Sequence, residues 1–234
     1  MRTMAGDPHY VREYRRLVRG LLKRSASEAD AMEKAVGGAF EKVGAAQAKL
    51  VKELCPQGGF HLIDVGCGSG RLAHALRAET RVSYTGFDVV PDLVAYAEKI
   101  CDRPDWRFDT ISELALPVEN AQADIIMFMS VFTHLKPDEI KTYLAEAFRV
   151  LKPGGRIVAS YIDPDATAHK HFSLPALMQV ITRAAGRNVM LTRTPRVTLS
   201  QWMEEAGFTV ERAITDKSLG QHALIAAKST AARA

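Results

Sequence analysis

The stretch HLIDVGCGSGRLAHAL, His61 to Leu76, sets three glycines within five residues directly behind an apolar run that carries the acid Asp64. Glycine weakens strands and helices alike, so three together need a reason. The residues before them read as a buried strand and those after, RLAHALRA, as a helix. In an open α/β sheet the first strand-to-helix turn passes beneath a ligand, and residues without a Cβ let backbone N–H groups approach it. The spacing is Gly66-x-Gly68-x-Gly70 with Arg71 where a dinucleotide fingerprint has its third glycine, which disfavours a pyrophosphate, and no phosphate-loop lysine follows.

Outward from this turn the chain alternates strand and helix. RVSYTGFDVV reads as a strand, PDLVAYAEKIC as a helix with Pro91 in its first turn, and WRFD and ADIIMFMS as strands. A helix from Pro137 to Leu151 follows, with Ile140, Tyr143, Leu144, Ala147, Phe148 and Leu151 on one apolar face; KPGG is expected to end it and RIVASYI to form the next strand. Strands apolar along their whole length, alternating with helices, argue for a parallel sheet covered on both faces. Near the end, Thr198-x-x-Gln201 has the form of a capping box before WMEEAGF, with Gly207 as helix stop. TVERAIT and HALIAAK are joined by only DKSLGQ, too short for a parallel crossover, so they are expected to form an antiparallel hairpin at one edge.

Residues 1–55 read as two or three helices without strands, broken at Gly37-Gly38. The first is amphipathic and basic, with Tyr14, Leu17, Val18, Leu21 and Leu22 on one side and Arg12, Arg15, Arg16, Arg19, Lys23 and Arg24 filling the other positions. The expected organisation is a helical cap over 1–55, an α/β domain over 56–228 with a lid-like insertion at about 163–197 that carries its own helix from Ser173 to about Ala185, and a tail at 229–234. At 234 residues, 47% hydrophobic and 25% charged, the composition is that of a globular protein with an ordinary core. No apolar run approaches the roughly 20 residues of a membrane helix, and the N-terminus lacks a signal-peptide pattern, so the expected address is cytoplasmic. Three widely spaced cysteines suggest neither a disulfide framework nor a metal site, and a net charge of +4 is weak evidence for nucleic acid.

D-x-G-x-G-x-G from Asp64 to Gly70, YTGFDVV with Asp88 at its strand end, ADIIMFMSVFTHL and AFRVLKPGGRIV fall in the order of the motifs of the class I S-adenosylmethionine-dependent methyltransferases, and the sequence resembles that family from about Leu54 to Ile162. The resemblance implies a Rossmann-like, doubly wound seven-stranded sheet of order 3-2-1-4-5-7-6 with strand 7 antiparallel. It also implies S-adenosylmethionine as cofactor and S-adenosylhomocysteine as product. Carried over by position, Gly66, Cys67, Gly68, Ser69 and Gly70 line the methionine and sugar region, Asp64 orients the cofactor, and Asp88 with Val89 holds the ribose. Asp109, Thr110 and Ile111 approach the adenine, and Phe128 and Met129 face the methionine portion. The alternative for Asp64, Asp88 and Asp109 is a helix cap or turn, where aspartate is common; for Asp88 the separation from the glycine turn favours binding.

Methyl transfer is an in-line displacement governed by positioning, with a base required when the acceptor is a protonated hydroxyl. His134, after the fourth strand, is the expected base, against the alternative of a histidine packed in its loop. Ser130, Thr133, Tyr161, His169 and His171 are expected to line the acceptor pocket, and Phe40, Gly44 and Gln47 either close over the cofactor or serve plain helix packing. The favoured partner is a small-molecule acceptor methylated on oxygen or nitrogen. The alternatives are an RNA or protein methyltransferase that uses the basic first helix, and a non-catalytic cofactor-binding partner protein.

Overall fold

In the computed structural model, residues 6–165, 190–215 and 218–230 are described. Three helices lead the chain: α1 His9–Leu22, α2 Glu28–Ala35 and α3 Phe40–Leu54. There follow β1 Phe60–Val65, α4 Arg71–Leu76, β2 Val82–Asp88, α5 Pro91–Cys101, β3 Arg107–Thr110, β4 Ala123–Phe128, α6 Pro137–Val150 and β5 Leu151–Tyr161. The chain then forms α7 Arg196–Glu205, β6 Phe208–Ile214 and β7 His222–Lys228.

The strands build a seven-stranded sheet of order β3-β2-β1-β4-β5-β7-β6, the order that the family resemblance implies. β1 is flanked in parallel by β2 and β4, while β7 runs antiparallel to both β5 and β6. Alternate residues of each strand enter opposite layers, as the two-residue period dictates. Ile63, Val65, Ile126 and Phe128 pack with α6 and α7. Leu62, Tyr84, Ile125 and Met127 pack beneath Leu50 and Val51 of α3 and Leu72 and Leu76 of α4. A third cluster joins Leu17, Val18 and Leu21 of α1 to Met32 of α2 and to Val90 and Leu93 at the start of α5. The N-terminal helices are thus anchored at the carboxyl end of β2.

Strand register decides where a ligand can sit. Val65 pairs with Phe87 on one side and Phe128 on the other, and Asp88 pairs with Thr110, so β1, β2, β3 and β4 finish together along one edge. The chain order reverses direction between β1 and β4, which makes this edge the expected crevice.

Three local expectations are corrected. α7 begins at Arg196 behind Pro195, so Thr198 and Gln201 lie inside the helix and form no capping box; proline's fixed φ, here −55°, initiates the helix three residues early. KPGG is part of β5, which pairs with β4 across a register shift between Ala123 and Ile125. Arg15, grouped by sequence with the exposed basic face, is buried; its Nε donates to the Val89 carbonyl at 2.9 Å and its guanidinium pairs with Asp7 at 3.0 Å. The helix expected from Ser173 to Ala185 lies outside the described residues. Among the described residues no helix is long and apolar enough to cross a membrane.

Candidate functional site

The glycine turn is tied to β2 by its backbone. Gly66 N and Cys67 N both donate to the Phe87 carbonyl, at 2.7 and 3.0 Å, and Gly68 N donates to Asp88 Oδ2 at 2.9 Å. The other carboxylate oxygen of Asp88 accepts from Val90 N at 2.9 Å, at the entrance of α5. All three glycines occupy the left-handed region, with φ of +76°, +57° and +82°. Their surroundings differ. A Cβ on Gly66 would stand 2.4 Å from Val131 Cγ2 and one on Gly68 2.6 Å from Val36 Cγ1, whereas one on Gly70 would meet Ala97 of α5 at 2.7 Å (Cβ) and 2.9 Å (Cα). Gly66 and Gly68 face a cavity, and Gly70 serves helix packing.

That cavity, of about 410 Å³, lies at the carboxyl edge of the sheet. It falls within the roughly 300–1,000 Å³ of small-molecule sites. Of the residues singled out from sequence, it gathers Asp64, Gly66, Cys67, Gly68, Asp88 and Val89 with Ile111, Met129, Ser130 and His134. Others stand outside its lining. Ser69 is fully buried and its hydroxyl donates to the Met32 carbonyl at 3.1 Å. Asp109 pairs with Arg107, and Thr110 is exposed. Phe128 is buried against Phe132 and Tyr143. Thr133 donates to the Ser130 carbonyl at 3.1 Å, and Tyr161 is buried beside His222. Gly44 packs against Arg71 and Phe40 against His74, while Gln47 lines the cavity. His169 and His171 lie outside the described residues.

Two buried carboxyls dominate the electrostatics. Asp64 accepts from the Tyr84 hydroxyl at 2.6 Å; burial raises its pKa to about 6, opposed by that hydrogen bond and by Arg71. Burial likewise raises Asp88 to about 6 against the pull of its backbone N–H donors. Arg71, lowered by burial to about 10, donates to the carbonyls of Val36 and Gly38 at 3.1 and 3.4 Å. It therefore straps the α2–α3 linker onto the glycine turn. The Cys67 thiol is pushed far up by burial and stays neutral.

Beyond β4, Ser130 holds a φ of +62°, unusual for a residue with a Cβ. Ser130 N donates to Ser160 Oγ at 2.7 Å, and that hydroxyl donates to Gln221 Oε1 at 2.7 Å, which fixes the turn. His134 lies in a short 3₁₀ turn, Phe132–His134. Its Nδ1 is 2.9 Å from the Met190 carbonyl, and its ring meets Tyr14 edge-on at 5.0 Å. A carbonyl only accepts, so Nδ1 carries the proton and Nε2 is the basic nitrogen. Burial lowers the pKa of His134 and keeps the ring neutral at pH 7.

Sequence reasoning missed much of the roof. Tyr10 and Tyr14 of α1, Val36 to Ala39 of the α2–α3 linker with Lys42 and Val43 of α3, Leu191, and Ser218 to Gln221 between β6 and β7 all line the cavity. The usable signal was Gly37-Gly38, which with Ala39 has φ of +87°, +78° and +51° and turns the chain over the site.

Comparison with known proteins agrees with this geometry. A family described as a methyltransferase domain matches residues 62–155. The chain is 34% identical over 139 residues to the malonyl-[acyl-carrier protein] O-methyltransferase of Hahella chejuensis, covering 58% of this chain and 47% of that one. It is 31% identical over 157 residues to a ubiquinone biosynthesis O-methyltransferase of Xylella fastidiosa, covering 65% and 62%. The chain thus spans between about half and two thirds of the length of the curated relatives it matches. Among solved structures, a S-adenosylmethionine-dependent methyltransferase from Methanosarcina mazei shares the fold at TM-score 0.59 and 18% identity, covering 77% of this chain and 97% of that one. A TehB-like methyltransferase from Corynebacterium glutamicum does so at TM-score 0.57 and 22% identity, covering 84% and 91%.

Proposed function

We propose that the chain is a class I S-adenosylmethionine-dependent methyltransferase, as its match to a methyltransferase domain over residues 62–155 supports, and that it methylates a small-molecule acceptor on oxygen. The family's cofactor supplies an electrophilic methyl on a sulfonium and leaves as S-adenosylhomocysteine. The observation that carries the reading is the pairing of left-handed, cavity-facing Gly66 and Gly68 with the buried carboxyl of Asp88 at the edge where four parallel strands end. The residues fit such a ligand, since bare backbone lines one wall and an acid able to accept two hydroxyls stands beside it.

In this reading Asp88 holds the ribose, Val89 and Ile111 flank the adenine, and Gly66, Gly68 and Met129 line the path toward the sulfur. Asp64 is a positioning residue, held by Tyr84 and Arg71. The helices of residues 9–54 and the extended segment of residues 190–195 form the cover. Thr192 N and Oγ1 bind the carbonyls of Thr133 and Leu135, both at 2.7 Å, which seats that segment on the loop after β4. His134 takes the proton from an acceptor hydroxyl at Nε2 while Nδ1–H stays on the Met190 carbonyl. Two relatives named as O-methyltransferases support oxygen as the attacking atom.

The test is turnover of methyl-labelled S-adenosylmethionine with fractionated metabolites, then identification of the labelled product. His134→Gln is expected to lower kcat by roughly 10²–10⁴ on a hydroxyl acceptor and to abolish the acid limb of the pH–rate profile. Label entering RNA or protein and no small molecule contradicts the acceptor class, and binding without turnover on any acceptor contradicts catalysis.

A further inference from the structure

Gln47 is 2% exposed and lines the cavity, yet its Nε2 has no hydrogen-bond partner among the described residues. A buried amide N–H₂ left unpaired costs free energy that a leucine of similar size avoids, so a position used only for helix packing gains nothing from glutamine. Its placement is rigid. Three residues earlier, Gly44 lets α3 lie directly on the first residue of α4, where a Cβ would stand 2.6 Å from the Arg71 carbonyl oxygen. Neighbouring Ala48 and Val51 are buried against β1 and α4. Gln47 is therefore held beside the glycine turn, on a different element from the His134, Tyr14 and Met190 group.

The missing partner must be an acceptor. Around the glycine turn the acids Asp64 and Asp88 offer acceptors, and the Arg71 guanidinium is engaged by the Val36 and Gly38 carbonyls. From α3 two further donors line the cavity, the Gln47 amide and Lys42, an exposed cation on the same helix. Acids suit the hydroxyls and cationic centres of an adenosyl amino acid; an amide beside a lysine suits its carboxylate.

Resting on the cofactor reading above, we propose that Gln47 Nε2 donates to the carboxylate of the cofactor's amino-acid end and distinguishes ligands that carry this end from those that lack it. The probes are S-adenosylhomocysteine and 5′-methylthioadenosine, which share the adenosyl thioether and differ in the amino-acid portion. Both are titrated calorimetrically into wild type, Gln47→Leu and Gln47→Glu. Gln47→Leu is expected to weaken S-adenosylhomocysteine by about 10- to 100-fold, the worth of a hydrogen bond to a charged group, and to leave 5′-methylthioadenosine unchanged. Gln47→Glu is expected to weaken the first ligand at least as much, through repulsion of like charges, and again spare the second. The apoprotein of Gln47→Leu is expected to melt no lower than wild type, because the substitution removes an orphaned donor.

Equal loss of both ligands, loss of neither, or a lower melting temperature of the Gln47→Leu apoprotein overturns the proposal. Retained binding of 5′-methylthioadenosine certifies that each variant is folded. Failure of wild type to bind either ligand overturns the cofactor reading itself, an outcome separate from the other three.

Discussion

Gly70→Ala separates the two uses to which one glycine cluster is put. Gly70 has φ +82° and caps α4, and its missing Cβ would lie 2.7 Å from Ala97 Cβ and 2.9 Å from Ala97 Cα. A left-handed alanine costs about 1–2 kcal/mol. Forcing a methyl into a closed packing site costs about 1–3 kcal/mol more, and Ala97 is fully buried on α5, so its Cα cannot move aside cheaply. The expected loss is therefore about 2–5 kcal/mol in urea denaturation at unchanged m-value. Ala97→Gly removes the facing Cβ, so the double variant should recover part of the loss, with a coupling of about 0.5–3 kcal/mol, while the left-handed cost remains. Once folded, Gly70→Ala should bind S-adenosylhomocysteine as wild type does, since Gly70 is not part of the cavity wall. Gly68→Ala, at φ +57°, should carry the left-handed cost of about 1–2 kcal/mol with less added packing strain, because its methyl meets only the tip of Val36, and should weaken S-adenosylhomocysteine because that methyl enters the cavity wall. A Gly70→Ala protein within about 0.5 kcal/mol of wild type, or strict additivity with Ala97→Gly, refutes the packing argument.

Other outcomes follow from the buried acids. Asp64 and Asp88 titrate near 6, against about 3.9 for an unfolded aspartate. Between about pH 4 and 6 the native state then binds more protons than the unfolded state, so apoprotein stability should fall as pH rises through that window and level off above it, by on the order of 2 kcal/mol per carboxyl. Denaturant melts at pH 4.5 and 7.5 check the sign; a more stable apoprotein at 7.5 contradicts it. Tyr84→Phe removes the donor to Asp64 at 2.6 Å. It should destabilise by about 1.5–3 kcal/mol at pH 7.5 and by less at pH 4.5, where the carboxyl is protonated; an equal loss at both pH values speaks against the charged hydrogen bond.

The central sheet was legible because its signals are local. An apolar run, a glycine turn and a helical period between residues 60 and 76 define β1 and α4, and the short DKSLGQ connection forces the β6–β7 hairpin. The roof was not legible, because it depends on contacts between distant segments. The stripe on α1 declares that the helix is buried, but not that Tyr14 meets His134 or that Arg15 reaches the Val89 carbonyl. The separate role of Gly70 was hidden for the same reason: its spacing matches that of Gly66 and Gly68, and only Ala97, on another helix, sets it apart. Thr198 misled because its capping pattern is outranked by a proline three residues earlier.

The most direct test of the account is a calorimetric titration of S-adenosylhomocysteine into the purified chain and its Asp88→Asn variant at pH 7.5. Saturable binding to one site per chain is expected, weakened at least about tenfold in the variant by loss of the charge that receives the ribose hydroxyls. No heat from the folded wild type at millimolar-order ligand, or equal affinity in both proteins, contradicts the claim that the carboxyl edge of β1 and β2 is a cofactor site.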